Sequence, residues 1–288
     1  LPLVSRIATD EVAKTGRRVG LVFSVNTVGT VLGAALTGLV LLPALGLARV
    51  FGLGIAINVA IGVVIFIRHS EQFRRFSFIG LPLFVIGMVS FAGGRFGDAW
   101  QRGLTQGLWR RATPPASMEE VRRLSADSQI LYHRDGAGAS VTVNSYDPGE
   151  DTLLSLRVNG KVDASTAGDM LTQLLSGHIP MLLCRQAENV LVVGLGSGIT
   201  CGAVLRHDSV RRLDAVEISP EVVEAAAFFK EANDDVLNQE RLHLAVDDAK
   251  SFLKLTEHDY DVIISEPSNP WLAGVSGVFS AEYYENCR

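Results

Sequence analysis

The chain has 288 residues, enough for about two domains, and a formal net charge of −5 that is unevenly placed. Residues 1–111 carry 12 Lys+Arg against 4 Asp+Glu, and residues 112–288 carry 14 against 27. The acidic second part argues against nucleic acid, whose phosphates it would repel, and suits a cationic substrate. Cys184, Cys201 and Cys287 have no CxxC spacing and the six histidines no metal-ligand spacing, so no metal is expected; Cys184 and Cys201, in apolar contexts, read as reduced core residues.

The first part is apolar in long runs. Residues 19–45 and 50–67 are two such runs, the second bounded by Arg49 and Arg68, and residues 76–92 are a shorter third. Crossing a bilayer takes about 20 apolar residues, so the first two qualify and the third is marginal. A signal peptide would be one short segment. Buried helices of a soluble bundle are the alternative, against which stands the lack of internal charge. Gly29, Gly33, Ala34, Ala35 and Gly38 suit close helix packing in lipid, and Asn26 is expected to bond a neighbouring helix. Lys14, Arg17 and Arg18 precede the first run, and Arg68, Arg74 and Arg75 follow the second, which places both groups in the cytoplasm. A full third crossing would put the acidic part outside. The expectation is a cytoplasmic second half, with the third run interfacial or re-entrant.

Residues 111–125, with Pro114, Pro115 and Ser117, read as a linker. Strand-like runs follow at 129–134, 140–145 and 153–158, with hairpin signals at Asp135-Gly136 and Asn159-Gly160. Residues 169–183 then read as a helix broken near Gly177 and Pro180.

The most informative stretch is 189–218. An apolar strand (190–193) runs into a turn containing Gly194, Gly196 and Gly198. A helix-length gap and a second apolar strand lead to Glu217. Glycines let backbone approach a ligand, and an acid at the next strand end accepts hydrogen bonds from ribose hydroxyls. The spacing points to a nucleoside cofactor; a glycine turn that serves packing alone is the competing account. Two more strands, 242–246 and 260–265, are followed by Asp248 and Glu266. Asp248 is also placed to cap the helix after it. Residues 281–286 read as a helix. A parallel sheet that has reached its fourth strand by Ser265 normally continues, so the chain reads as a piece of a longer protein.

Several segments together resemble the spermidine synthase (aminopropyltransferase) family, in particular bacterial members fused to a transporter-like membrane part. They are Asn159-Gly160-Lys161-Val162-Asp163, Asp169-Met170-Leu171-Thr172-Gln173, residues 194–200, Glu217, Asp247-Asp248, and Ser265-Glu266-Pro267-Ser268-Asn269-Pro270-Trp271. Residues 17–46 resemble the membrane part of those fusions. The resemblance implies an α/β fold: N-terminal transmembrane helices, a small β-hairpin domain, then a Rossmann-like methyltransferase-type parallel sheet, cut short at its C-terminus. The expected division is a transmembrane segment over 1–95, a linker over 96–127, a small β domain over 128–166 and a Rossmann-like domain over 167–288.

The activity implied is transfer of an aminopropyl group from decarboxylated S-adenosylmethionine, as co-substrate, to an amine such as putrescine, releasing methylthioadenosine. An alkyl amine is protonated at neutral pH (about 10.4 for lysine), so a carboxylate must take its proton. By the resemblance Glu266 is that base. Gly194, Gly196, Ser197, Gly198, Glu217 and Asp248 hold the donor, and Gln173 and Asn269 lie on the substrate side. A strand-end acid capping a helix is the bland account of Glu266, and a solvated helix face that of Gln173. The partners implied are a small amine and membrane lipid, with self-association left open. The location implied is a bacterial inner membrane, multi-pass. Ser197, Glu266 and Asn269 stand where the family carries aspartates, and Thr172 stands where it carries a tyrosine. A methyltransferase on the same sheet and a non-catalytic nucleoside- or polyamine-sensing module are the rival readings.

Overall fold

In the computed structural model, the described residues are 2–7, 9, 14–69, 103, 105, 107, 113, 115–117, 119–121, 123, 128–146, 152–184, 186–266 and 275–288. The chain divides into two compact units, Leu1–Ala92 and Gly93–Arg288.

The first unit is helical. A short α1 (Pro2–Ile7) is followed by α2 (Thr15–Leu36), which passes through a π-helical turn (Thr37–Leu41) into α3 (Leu42–Leu45). Gly46, at φ 78°, ends the run, and α4 (Leu47–His69) follows. Two stretches, Thr15–Leu45 (31 residues) and Leu47–Val64 (18 residues), are long and apolar enough to cross a membrane. Apolar side chains are exposed around the first of them: Leu21, Phe23, Val31 and Leu36, which point to different sides, are each more than half exposed. Three polar side chains bond back to their own helices. Thr27 Oγ1 donates to the Phe23 carbonyl at 2.9 Å, Thr30 Oγ1 to Asn26 at 2.8 Å and Asn58 Nδ2 to Gly54 at 2.8 Å. The apolar run at 76–92 lies outside the described residues.

The second unit holds two sheets. The first is an antiparallel meander, β1 (Gln129–Asp135), β2 (Ser140–Tyr146), β3 (Leu153–Val158) and β4 (Lys161–Ser165), in that spatial order. Asn159 and Gly160 both have positive φ (51° and 77°), as the two-residue turn between β3 and β4 requires. The Asp135-Gly136 signal corresponds to a wider loop, because Asp135 still pairs with Ser140, and Gly136 N donates to the Ala139 carbonyl at 2.8 Å.

The second sheet is parallel. Helix α5 (Met170–Leu183) leads into β5 (Asn189–Val193), α6 (Ile199–Leu205), β6 (Arg212–Glu217), α7 (Pro220–Ala226), β7 (Leu242–Val246), α8 (Ala249–Leu255), β8 (Val262–Ser265) and α9 (Ala281–Asn286). Its strand order is β7-β6-β5-β8. Alternate residues of β5 feed two cores. Val190 and Val192 pack with Val204, Leu213 and Ala215, whereas Leu191 and Val193 pack with Val216, Leu253 and Tyr283. Burial on both faces explains the unbroken apolar run of β5. The meander joins this unit through Val141, Val143 and Leu156, which pack on Val222, Ala225 and Phe229. At its rim Tyr132 and Arg134 both bond Glu224, at 2.8 and 2.6 Å.

Helix α5 corrects one expectation: it runs unbroken through Gly177 and Pro180. Gly177 is a contact point, where a Cβ would sit 2.6 Å from Ala203 Cβ on α6. Pro180 forfeits one backbone hydrogen bond near the helix end, where the buried Met181 still anchors the last turn.

Candidate nucleoside-binding site

The site gathers at the carboxyl ends of the parallel strands, where open α/β sheets present ligand-binding groups. From Val193 the chain turns through Gly194 (φ 92°), Gly196 (φ 55°) and Gly198 (φ 80°) into α6. Gly198 is doubly constrained: a side chain there would be strained by its φ, and a Cβ would lie 2.9 Å from Val236 Cγ1 and 3.0 Å from Asn233 Nδ2.

Glu217 ends β6 beside this turn and is only 8 % exposed. Its Oε2 accepts the Leu195 N–H and its Oε1 the Ser219 N–H, each at 3.0 Å. Burial pushes its carboxyl above the ordinary value, a rise that the surrounding backbone N–H groups offset only in part. Next to it Ile218 is 65 % exposed, and Val246, the register partner of Glu217 on β7, is 53 % exposed. Two uncovered apolar side chains flank the buried acid at the strand ends, a surface suited to a flat ring.

Asp248 caps α8, its Oδ1 accepting the Ser251 N–H at 2.9 Å, and Asp247 is exposed. Glu266 follows β8 directly and is exposed at the same edge of the sheet. Tyr283, fully buried, donates from its hydroxyl to Ser265 Oγ at 3.1 Å and so ties α9 to the residue before Glu266. Asn269 and Trp271 lie outside the described residues.

Ser197 (1 % exposed) and Gln173 (8 % exposed) are brought together beneath the turn, with Ser197 Oγ donating to Gln173 Oε1 at 2.6 Å. The solvated helix face considered for Gln173 is therefore incorrect. Its amide is buried because β4 and the glycine turn close over that side of α5. Asn233, unremarked in the sequence, is equally buried: its Nδ2 donates to the carbonyls of Ser197 (2.8 Å) and Ala226 (3.0 Å), bracing the turn from the far side. The sole hint was its place just before the acidic pair Asp234-Asp235. Cys201 sits fully buried in α6, where desolvation and the nearby Glu217 charge push its thiol up to about 12, an inert core residue.

The parallel sheet, the glycine turn and the strand-end acid define a Rossmann-like α/β domain. Comparison with known proteins narrows the class. Residues 170–288 match the family described as spermine/spermidine synthase domain. A polyamine aminopropyltransferase of Alkaliphilus oremlandii is 32 % identical over 136 residues, 47 % of this chain and 46 % of that protein. One from Oceanobacillus iheyensis is 23 % identical over 291 residues, covering 100 % of this chain and 53 % of that protein. The chain thus spans about half the length of the curated relatives it matches. A crystal structure of spermidine synthase in complex with the transition state analogue AdoDATO shares the fold, with a TM-score of 0.51 and 21 % identity over 55 % of this chain and 53 % of that one.

Proposed function

We propose that this chain transfers an aminopropyl group from decarboxylated S-adenosylmethionine to a small amine. The observation that carries the reading is Glu217, a buried strand-end carboxylate bonded into a glycine turn. It lies within a domain matched by the spermine/spermidine synthase family. In this reading the backbone of Gly194, Gly196, Ser197 and Gly198 receives the donor, and Glu217 accepts its ribose hydroxyls. Ile218 and Val246 offer apolar faces to the base, with Asp248 at its edge.

The acceptor amine attacks the donor carbon attached to the sulfonium. The new C–N bond forms as the C–S bond breaks, the bonding pair returns to sulfur, and neutral methylthioadenosine departs. Glu266, exposed at the end of β8, takes the proton lost by the amine. Asn269 belongs to the amine side of this scheme, and no step calls for a metal.

The helical first unit is the membrane part in this reading, with residues 1–95 spanning the bilayer of a bacterial cell membrane more than once. Residues 96–127 link it to the β domain (128–166) and the transferase domain (167–288), which faces the cytoplasm. The length and apolarity of the two helices support it.

The test is release of methylthioadenosine by the chain in membranes, given decarboxylated S-adenosylmethionine and a panel of di- and polyamines. Release that needs both donor and amine is expected. Nucleoside binding without release would point to a sensor, and methyl transfer from intact S-adenosylmethionine to a methyltransferase.

A further inference from the structure

Asp169 stands at the N-cap of α5, yet its carboxylate accepts no capping hydrogen bond from a backbone N–H of that helix. It faces back to β4 instead. Oδ2 accepts the Ser165 N–H at 2.8 Å, Oδ1 accepts the Ser165 hydroxyl, and Oδ2 is also 3.3 Å from Gln173 Nε2. Gln173 Nε2 donates in addition to the Ser165 carbonyl at 2.9 Å. Both amide protons of Gln173 are therefore committed on the β4 side. A flipped amide would set its oxygen against a carbonyl and a carboxylate, so the orientation is fixed by the partners. Oε1 then points at the glycine turn and accepts the Ser197 hydroxyl proton at 2.6 Å. With its proton given away, Ser197 Oγ is an acceptor, and the Ile199 N–H lies 3.3 Å from it.

Ser197 is the residue between Gly196 and Gly198, both at positive φ. Glycines leave a turn conformationally permissive, so the side chain between them has the most leverage over its shape. We propose that Asp169 is a positioning residue: through Gln173 it fixes the Ser197 hydroxyl, and so holds the turn at 194–198 in the form that receives the donor's nucleoside. This rests on the nucleoside-binding reading of that turn. It also assigns Gln173 a different task from direct contact with substrate, since both ends of its amide are already bonded inside the protein.

The test is a double-mutant cycle on the full chain in detergent, with methylthioadenosine affinity read by calorimetry at fixed temperature. Folding of each variant is checked by circular dichroism. Asp169→Asn and Ser197→Ala should each weaken binding roughly five- to tenfold, the worth of one hydrogen bond to a charged or buried group. In the double variant the loss should be no larger than for Ser197→Ala alone, because Asp169 acts only through that hydroxyl. Gln173→Met, which keeps the volume and removes both ends of the amide, should match Ser197→Ala and keeps the test open if Asp169→Asn folds poorly. Additive losses, or unchanged affinity in Asp169→Asn, would overturn the proposal while leaving nucleoside binding intact. No binding by the unmutated chain would remove the nucleoside reading and the proposal with it.

Discussion

Glu217 Oε2 accepts the backbone N–H of Leu195 at 3.0 Å, so one buried carboxylate joins the end of β6 to the turn that follows β5. Its second oxygen is held by Ser219 N–H, also at 3.0 Å. The acid that would bind ribose is thus already shaping the loop that would receive the rest of the nucleoside. Removing it should damage both functions. Glu217→Ala is expected to abolish measurable methylthioadenosine binding and to lower unfolding stability by about 1–3 kcal/mol, because the buried Leu195 N–H and the half-buried Ser219 N–H lose their acceptor. Calorimetry and urea denaturation check the two parts, and unchanged affinity would sink the ribose assignment.

The same burial gives a pH signature. Desolvation raises the Glu217 carboxyl above its ordinary 4.5. A raised acid binds its proton more readily folded than unfolded. Its stabilising contribution is complete below about 4.5 and is lost as pH rises through the folded value. The stability of the wild type relative to Glu217→Gln should therefore fall between mildly acidic and neutral pH. Urea midpoints for both proteins across that range would show it. A wild-type advantage that grows with pH would mean that the backbone N–H groups outweigh desolvation at this carboxyl.

How much of this was legible in the sequence depends on the range of the interactions. The glycine turn, Glu217 and the Asn159-Gly160 hairpin were legible because their chemistry is local: positive φ and a strand end are written in a few adjacent residues. Gln173 was not, since its burial comes from Ser165 before it and Ser197 well after it. Asn233 was hidden for the same reason, reaching back to Ser197 from a polar loop. Helix α5 outlasts its Gly177 and Pro180 because packing on α6 decides, which propensity does not record.

Gly202 offers a packing test free of backbone strain. It lies inside α6, and an added Cβ would overlap the Asn233 carbonyl oxygen, a backbone atom that cannot swing aside. Helix propensity alone would favour alanine by about 1 kcal/mol. Overpacking should reverse that, so Gly202→Ala is expected to destabilise by about 1–3 kcal/mol net. A higher melting temperature in the variant would show that the loop holding Asn233 yields.

Glu266 is exposed at the end of β8, and Tyr283 buttresses the strand just before it. In the proposed reaction it would act on the amine, so its loss should spare the donor. Glu266→Gln is expected to cut turnover by on the order of 10²–10⁴ with methylthioadenosine affinity unchanged. Stopped assays with saturating amine, alongside calorimetry, separate the two. A variant with near-normal turnover would make Glu266 a strand-end surface charge.

The helical first unit makes a prediction of its own. Its two long helices expose apolar side chains on every side, among them Leu32 at 65 % and Leu39 at 72 %, and water is a poor solvent for such a surface. In the proposed membrane reading lipid is the solvent that covers it, because the backbone groups of a helix interior are bonded within the helix. The chain should therefore stay with the membrane pellet after an alkaline wash that strips peripheral proteins. A charge in the middle of the first helix should oppose insertion by about 2.5–3.5 kcal/mol, so Val28→Arg is expected to shift a measurable fraction of chains out of the bilayer in a glycosylation-based insertion assay. Release of the unmutated chain by alkali, or indifference to Val28→Arg, would mean that these helices bury their apolar surface against protein rather than lipid.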